Sequence, residues 1–189
     1  DTYGICPSDT KTWSISQSIS GGKSIQCFDI LGRIRRTGSI GFDGINWSLT
    51  DTEYDKFNRI VRTTAPYWQN SSERYWTTNI YDVLGRITEI KSPYKNGYAS
   101  TYISYNNLDT QITNQKSHTR IEKRDLVGQV IEINDPNNGT TKFAYDARGN
   151  MREMIDPNSN ITTIGYDLLD RKNSMADPDK GTWIYKYNN

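Results

Sequence analysis

The sequence predicts an all-β protein, built as an array of short antiparallel β-hairpins, and three observations predict it. Only 34% of the 189 residues are hydrophobic, yet 12% are aromatic, with 13 Tyr, 5 Trp and 4 Phe. Such a chain is too polar for a large helical core and too aromatic for disorder, and half-buried strands suit it. An aromatic–Asp turn motif recurs along most of the chain, and a proline follows the motif at a fixed distance. Two landmarks at one period mark a repeat architecture.

Residues 1–27 form a less regular N-terminal β segment. Gly21-Gly22-Lys23-Ser24 ends like a phosphate-binding loop, but that pattern requires a further glycine where Gln17 stands. A hairpin turn between Ile19 and Ile25 is expected instead. Cys6 and Cys27 either pair across this segment or remain two thiols; the spacing leaves both open.

The repeats occupy 28–189. The motif reads Phe28-Asp29-Ile30-Leu31-Gly32-Arg33, Tyr54-Asp55-Lys56-Phe57-Asn58-Arg59 and Tyr81-Asp82-Val83-Leu84-Gly85-Arg86. It returns as Tyr145-Asp146-Ala147-Arg148-Gly149-Asn150 and Tyr166-Asp167-Leu168-Leu169-Asp170-Arg171. Asp125-Leu126-Val127-Gly128 has lost the aromatic, Tyr105-Asn106-Asn107 is degenerate, and the stretch around 105–125 is the least regular. Asp125, Asp146 and Asp167 are 21 residues apart, whereas Asp29, Asp55 and Asp82 are separated by 26 and 27, so the front copies carry insertions. Pro66, Pro93, Pro136, Pro157 and Pro178 each stand eleven residues after a motif aspartate.

Each landmark has a physical meaning. Gly32, Gly85, Gly128 and Gly149, with Asn58 and Asp170 in the same place, are the residue types that reach positive φ at low cost. The preceding aspartate suits a turn because its carboxylate can accept backbone N–H groups two residues on. Asp135-Pro136, Asp156-Pro157 and Asp177-Pro178 open turns with Pro in the second position, and Ser92-Pro93 is expected to do the same. Between these turns lie runs of about six residues, which read as about fourteen strands. Thr182 to Tyr187 places Trp183, Tyr185 and Tyr187 on one face. The pairs Ile87/Ile90, Val130/Ile133 and Met151/Met154 are three apart, a spacing that a β-bulge or burial on both faces produces.

Function classes narrow on chemistry. With 23 Lys and Arg against 22 Asp and Glu, the chain lacks the basic excess of a nucleic-acid binder. No run reaches the length of a membrane-spanning helix. One histidine, His118, and two cysteines do not make a zinc set, and no cofactor motif is present. The motif aspartates stand in identical turn contexts, which a repeating structure requires and a single active site does not; no catalytic residue is expected. Exposed aromatics offer another reading, in which Trp68 and Trp76 stack on cell-surface glycans in a binding or adhesion module.

The periodic pattern over 28–189 resembles the YD-repeat or RHS-repeat family, through Tyr-Asp, two residues, Gly-Arg, a strand and a proline turn. The residues that carry the resemblance are Phe28, Asp29, Gly32, Arg33, Tyr54, Asp55, Arg59, Tyr81, Asp82, Gly85, Arg86, Asp125, Gly128, Tyr145, Asp146, Gly149, Tyr166, Asp167 and Arg171. The resemblance implies a curved β-ribbon forming part of a hollow shell, as in bacterial Rhs effectors, insecticidal Tc toxins and teneurins. It further implies a non-catalytic wall around a toxic cargo polypeptide, secreted by or displayed on a bacterium. The partners it implies are neighbouring repeats of a longer chain, continuing past 189, and the enclosed cargo.

Overall fold

The computed structural model describes residues 4–18 and 21–188, among which there are seventeen strands and no α-helix. The chain divides into two compact units, Asp1–Ser100 and Thr101–Asn189. The first contains β1 (Thr12–Gln17), β2 (Lys23–Phe28), β3 (Ile34–Ile40), β4 (Trp47–Tyr54), β5 (Ile60–Thr64), β6 (Tyr67–Trp68), β7 (Trp76–Tyr81) and β8 (Ile87–Tyr94). The second contains β10 (Asp109–Thr113), β11 (Thr119–Arg124), β12 (Val130–Asp135), β13 (Gly139–Tyr145), β14 (Met151–Ile155), β15 (Ile161–Tyr166), β16 (Lys172–Asp177) and β17 (Gly181–Ile184). The division falls within β9 (Gly97–Asn106).

In the first unit β1 pairs with β2, β2 with β3 and β3 with β4, all antiparallel. The turn expected between Ile19 and Ile25 is closed by the Gln17–Lys23 pair, while Ile19 and Ser20 lie outside the described residues. β4 is shared. Ser48 and Leu49 pair with β6, and Thr52 to Tyr54 pair with β5, which then receives β7. The chain past Pro66 therefore leaves the ladder, pairs briefly as β6 and returns as β7, which accounts for the longer spacing from Asp55 to Asp82; from Asp29 to Asp55 the extra length lies in the long β3–β4 hairpin. Ile5, Ile25, Cys27, Trp47, Leu49 and Tyr67 form the buried core of this unit. Cys6 and Cys27 are bridged, which resolves the alternative that the sequence left open. Beside the core, Asp51 receives both Nε (2.5 Å) and Nη2 (2.8 Å) of Arg36 and the Tyr67 hydroxyl (2.7 Å). Burial and the Asp51 carboxylate push the Tyr67 phenol up to about 12.

The second unit is a meander in which each strand from β9 to β17 pairs with its successor. Its register repeats. Tyr145 pairs with Met151 and Ala144 with Glu153, so Arg152 is an extra residue; Tyr166 with Lys172 and Gly165 with Ser174 leave Asn173 extra. The same shift occurs in the first unit at Phe28, Tyr54 and Tyr81. These bulges explain why Met151 and Met154, or Ile87 and Ile90, sit three apart.

Three expectations are corrected. The strands number seventeen rather than about fourteen, chiefly because the N-terminal segment forms a full hairpin and the insertion forms β6. Pro93 lies inside β8; the turn is Tyr94 to Gly97, with Lys95 at φ 49°, because the extra residue moves the reversal one step onward. The final strand ends at Ile184 rather than Tyr187. In β15 the corresponding residues are held by β16, and no later strand lies among the described residues. In the degenerate stretch, Asn106 pairs with Asp109 around a two-residue turn with Asn107 at φ 55°.

Candidate functional site: a lock between successive repeats

Each motif turn is organised by its carboxylate. Oδ1 of Asp29, Asp55, Asp82, Asp125, Asp146 and Asp167 accepts the N–H of the second and fourth residues beyond it, at 2.8–3.0 Å. The third residue beyond takes positive φ in every copy: Gly32, Asn58, Gly85, Gly128, Gly149 and Asp170 lie between 59° and 94°. Oδ2 then receives the arginine Nε, at 2.7–2.8 Å in Arg33, Arg59, Arg86 and Arg171. In the Asp146 copy, Asn150 substitutes an amide, its Nδ2 3.2 Å from Asp146 Oδ2.

The arginine also reaches the following copy. Arg33 lies 4.7 Å from the Tyr54 ring centroid, Arg59 4.4 Å from Tyr81 and Arg171 4.7 Å from Tyr187. The tyrosine answers in the other direction: its hydroxyl donates to the carbonyl five residues past the preceding aspartate. Tyr54 bonds Ile34 O (3.1 Å), Tyr81 bonds Ile60 O (2.7 Å), Tyr166 bonds Met151 O (3.0 Å) and Tyr187 bonds Lys172 O (2.7 Å). Tyr145 makes the same bond to Val130 O at 2.9 Å. The Tyr and Arg of the motif thus act across the boundary between repeats, while the Asp holds the Arg within its own turn. Phe28, which stands in the tyrosine's place, has no hydroxyl to make this bond. Sequence reasoning placed the turn but missed this bond; the preference for Tyr over Phe in every later aromatic copy was the available signal.

The carboxylates of Asp29, Asp55, Asp82, Asp146 and Asp167 are held in their charged form. Backbone N–H bonds from Arg59, Arg86, Asn150 and Arg171 keep Asp55, Asp82, Asp146 and Asp167 below their ordinary 3.8, against a smaller opposing effect of burial. For Asp29 burial is the largest effect and raises its carboxyl, but Arg33 and the N–H of Leu31 together outweigh it and hold it low. A depressed carboxyl contributes stability that is present above the unfolded value and lost as pH falls through the folded one. The melting temperature is therefore expected to be level at neutral pH and to fall below about pH 4. Thermal melts across pH 2–7 check this, and a melting temperature that rises on acidification would contradict it. A second expectation follows from the hydroxyl bond: Tyr166→Phe should cost about 0.5–1.5 kcal/mol in urea unfolding, because one side-chain hydrogen bond is lost with little change in packing.

The two candidate glycan-stacking tryptophans part company. Trp76 is half-buried, and the Arg62 guanidinium covers one face of its ring at 4.2 Å while pairing with Glu53, so that face is not open for stacking. Trp68 is 55% exposed. His118 lies in an exposed polar turn, its Nδ1 3.1 Å from Asn137 Nδ2. Among the described residues no three His, Cys, Asp or Glu side chains are grouped to hold a metal ion, and no helix is long and apolar enough to cross a membrane.

Residues 124–161, which span two motif turns and the strands between them, match the RHS repeat family. Among solved structures, the chain is similar to a TcdB2–TccC3 complex lacking its hypervariable C-terminal region, at 17% identity and a TM-score of 0.59. The match covers 89% of this chain and 12% of that one. It is also similar to the Photorhabdus luminescens Tc holotoxin pore, at 19% identity and a TM-score of 0.66, covering 90% of this chain and 11% of that one. The chain thus spans about an eighth of the length of the structures it matches. No curated protein matches it. Residues 124–161 thus match an RHS repeat, the same aspartate-centred turn recurs from Asp29 to Asp167, and the antiparallel fold is shared with these structures.

Proposed function

We propose that the chain is a non-catalytic wall segment of a secreted bacterial toxin shell, and that the shell encloses a toxic polypeptide. The carrying observation is the lock between repeats: Tyr54, Tyr81, Tyr145, Tyr166 and Tyr187 each bond the copy before through the same atoms, an arrangement that builds wall and singles out no copy as a reaction centre. The turn tips add support. Ile30, Leu31, Val83, Leu84, Leu126, Val127, Leu168 and Leu169 are each at least 70% exposed, in turns where polar residues are the rule. Aliphatic pairs repeated at turn tips mark a surface that a neighbour covers, and in a shell that neighbour is further wall.

Limited proteolysis of the full-length parent protein tests the reading. Cargo inside a wall is expected to resist protease until the shell is opened, for example by acid, while free cargo is cut at once. Equal cleavage of cargo with and without the wall would reject it. So would a hydrolytic activity abolished by one of Asp82→Asn, Asp146→Asn or Asp167→Asn and untouched by the other two.

A further inference from the structure

We propose that the cleft beside Trp68 binds one neutral pyranose ring, a role that goes beyond wall-building and does not depend on it. The cleft is lined by Asp43, Asn46, Trp68 and Asn70, all within the first unit, and has a volume of about 310 Å3. That is the small end of ligand pockets, which run roughly 300–1,000 Å3, and it suits a single ring.

Its floor is a platform. A Cβ on Gly41 would stand 3.1 and 3.2 Å from Cζ3 and Cη2 of Trp68, so the indole rests against the bare Gly41 backbone while over half of its surface stays open. Its rim is a relay of fixed polar groups. Asp43 Oδ1 accepts the N–H of Ile45 and of Asn46, both at 2.9 Å, and Asp43 Oδ2 accepts Asn46 Nδ2 at 2.6 Å. Asn46 Oδ1 in turn accepts Asn70 Nδ2 at 3.1 Å. The N–H bonds of Ile45 and Asn46 hold the Asp43 carboxyl below its ordinary value, so it is charged at neutral pH. Each amide spends one N–H on the relay and keeps a second for a ligand, and the Asn70 carbonyl oxygen remains as an acceptor.

A pyranose matches this set: it has a C–H face for the indole and ring-plane hydroxyls that both donate and accept. The Asp43 charge disfavours sialylated or sulfated sugars. A cationic ligand fits less well, because Asp43 already receives three donors and one ring does not make an aromatic cage. Trp183 is equally exposed at 54%, but its indole N–H bonds Lys180 O and no amide relay flanks it, so it serves as the internal control.

Saturation-transfer NMR on the full chain, with methyl β-galactoside, methyl α-glucoside, methyl α-mannoside, 3′-sialyllactose and acetyl-arginine methyl ester, decides the matter. At least one neutral pyranoside is expected to bind with a Kd of about 1 mM, weakened about tenfold or more in Trp68→Ala and unchanged in Trp183→Ala. Asn70→Ala, an exposed change that leaves the platform in place, is expected to weaken binding several-fold and guards against misfolding of the tryptophan variant. The proposal is overturned if no neutral pyranoside binds, if binding survives both Trp68→Ala and Asn70→Ala, or if the arginine ester or the sialylated sugar binds more tightly than all three neutral sugars.

Discussion

Reduction of the Cys6–Cys27 bridge, or Cys27→Ala, is expected to destabilise the first unit by about 2–5 kcal/mol, the usual cost of removing a structural disulfide from a small core. The core here is small. Six side chains carry it, and Ile25 and Cys27 are its two fully buried members. The bridge ties the segment bearing Ile5 to β2 across 21 residues of chain, and Arg36 bonds the Ile5 carbonyl from the facing strand. Without the bridge this segment must hold its place by Ile5 packing, the Arg36 bond and the partly exposed Asp9–Arg35 ion pair. Hydrogen exchange with and without reductant reads the effect. Amides of β2 and β3 should lose protection, while those of β14 to β16 keep theirs, because the second unit contains no cysteine. Equal protection of β2 before and after reduction would show that the bridge is incidental.

The second large effect is expected at the turns. Gly85→Val and Gly149→Val should each cost about 1–3 kcal/mol, since a β-branched residue at φ 81° or 94° is strained whatever surrounds it. Gly149→Val should be the worse of the two: its Cβ would also meet Gln129 Nε2 at 3.0 Å, whereas the nearest atom to Gly85 is 3.7 Å away. Asn58→Gly, at φ 64°, should be neutral or stabilising. Urea unfolding of the three variants checks the order, and an unchanged midpoint for both valine variants would refute the turn geometry.

The sequence made the turns legible because few residue types reach positive φ, so glycine, asparagine or aspartate at one offset from an aspartate reports backbone directly. The bulges were legible too, since Met151 and Met154 break the two-residue period that an unbroken strand imposes. The strand ends were not. Pro93 sits in a strand and Tyr185 and Tyr187 outside one, because a strand's extent depends on its neighbour and composition does not show the neighbour. The Tyr-to-carbonyl bond was hidden for a related reason: its acceptor is backbone and therefore has no sequence of its own. For the tryptophans, exposure was the missing quantity. Trp68 and Trp76 look alike in the sequence, but Trp68 is open while Trp76 is half-buried beneath Arg62.

The meander of β10 to β17 also has a mechanical consequence. Among the described residues, each strand there pairs with the strands before and after it in the chain. Tension applied between the first and last strands therefore loads one ladder at a time, and its bonds open in succession like a zip instead of shearing together. Each 21-residue repeat that peels away frees about 70 Å of extended chain, from roughly 3.3–3.6 Å per residue. A force–extension trace should climb in short, evenly spaced steps at low force, with each step ending where the next tyrosine hydroxyl grips its carbonyl.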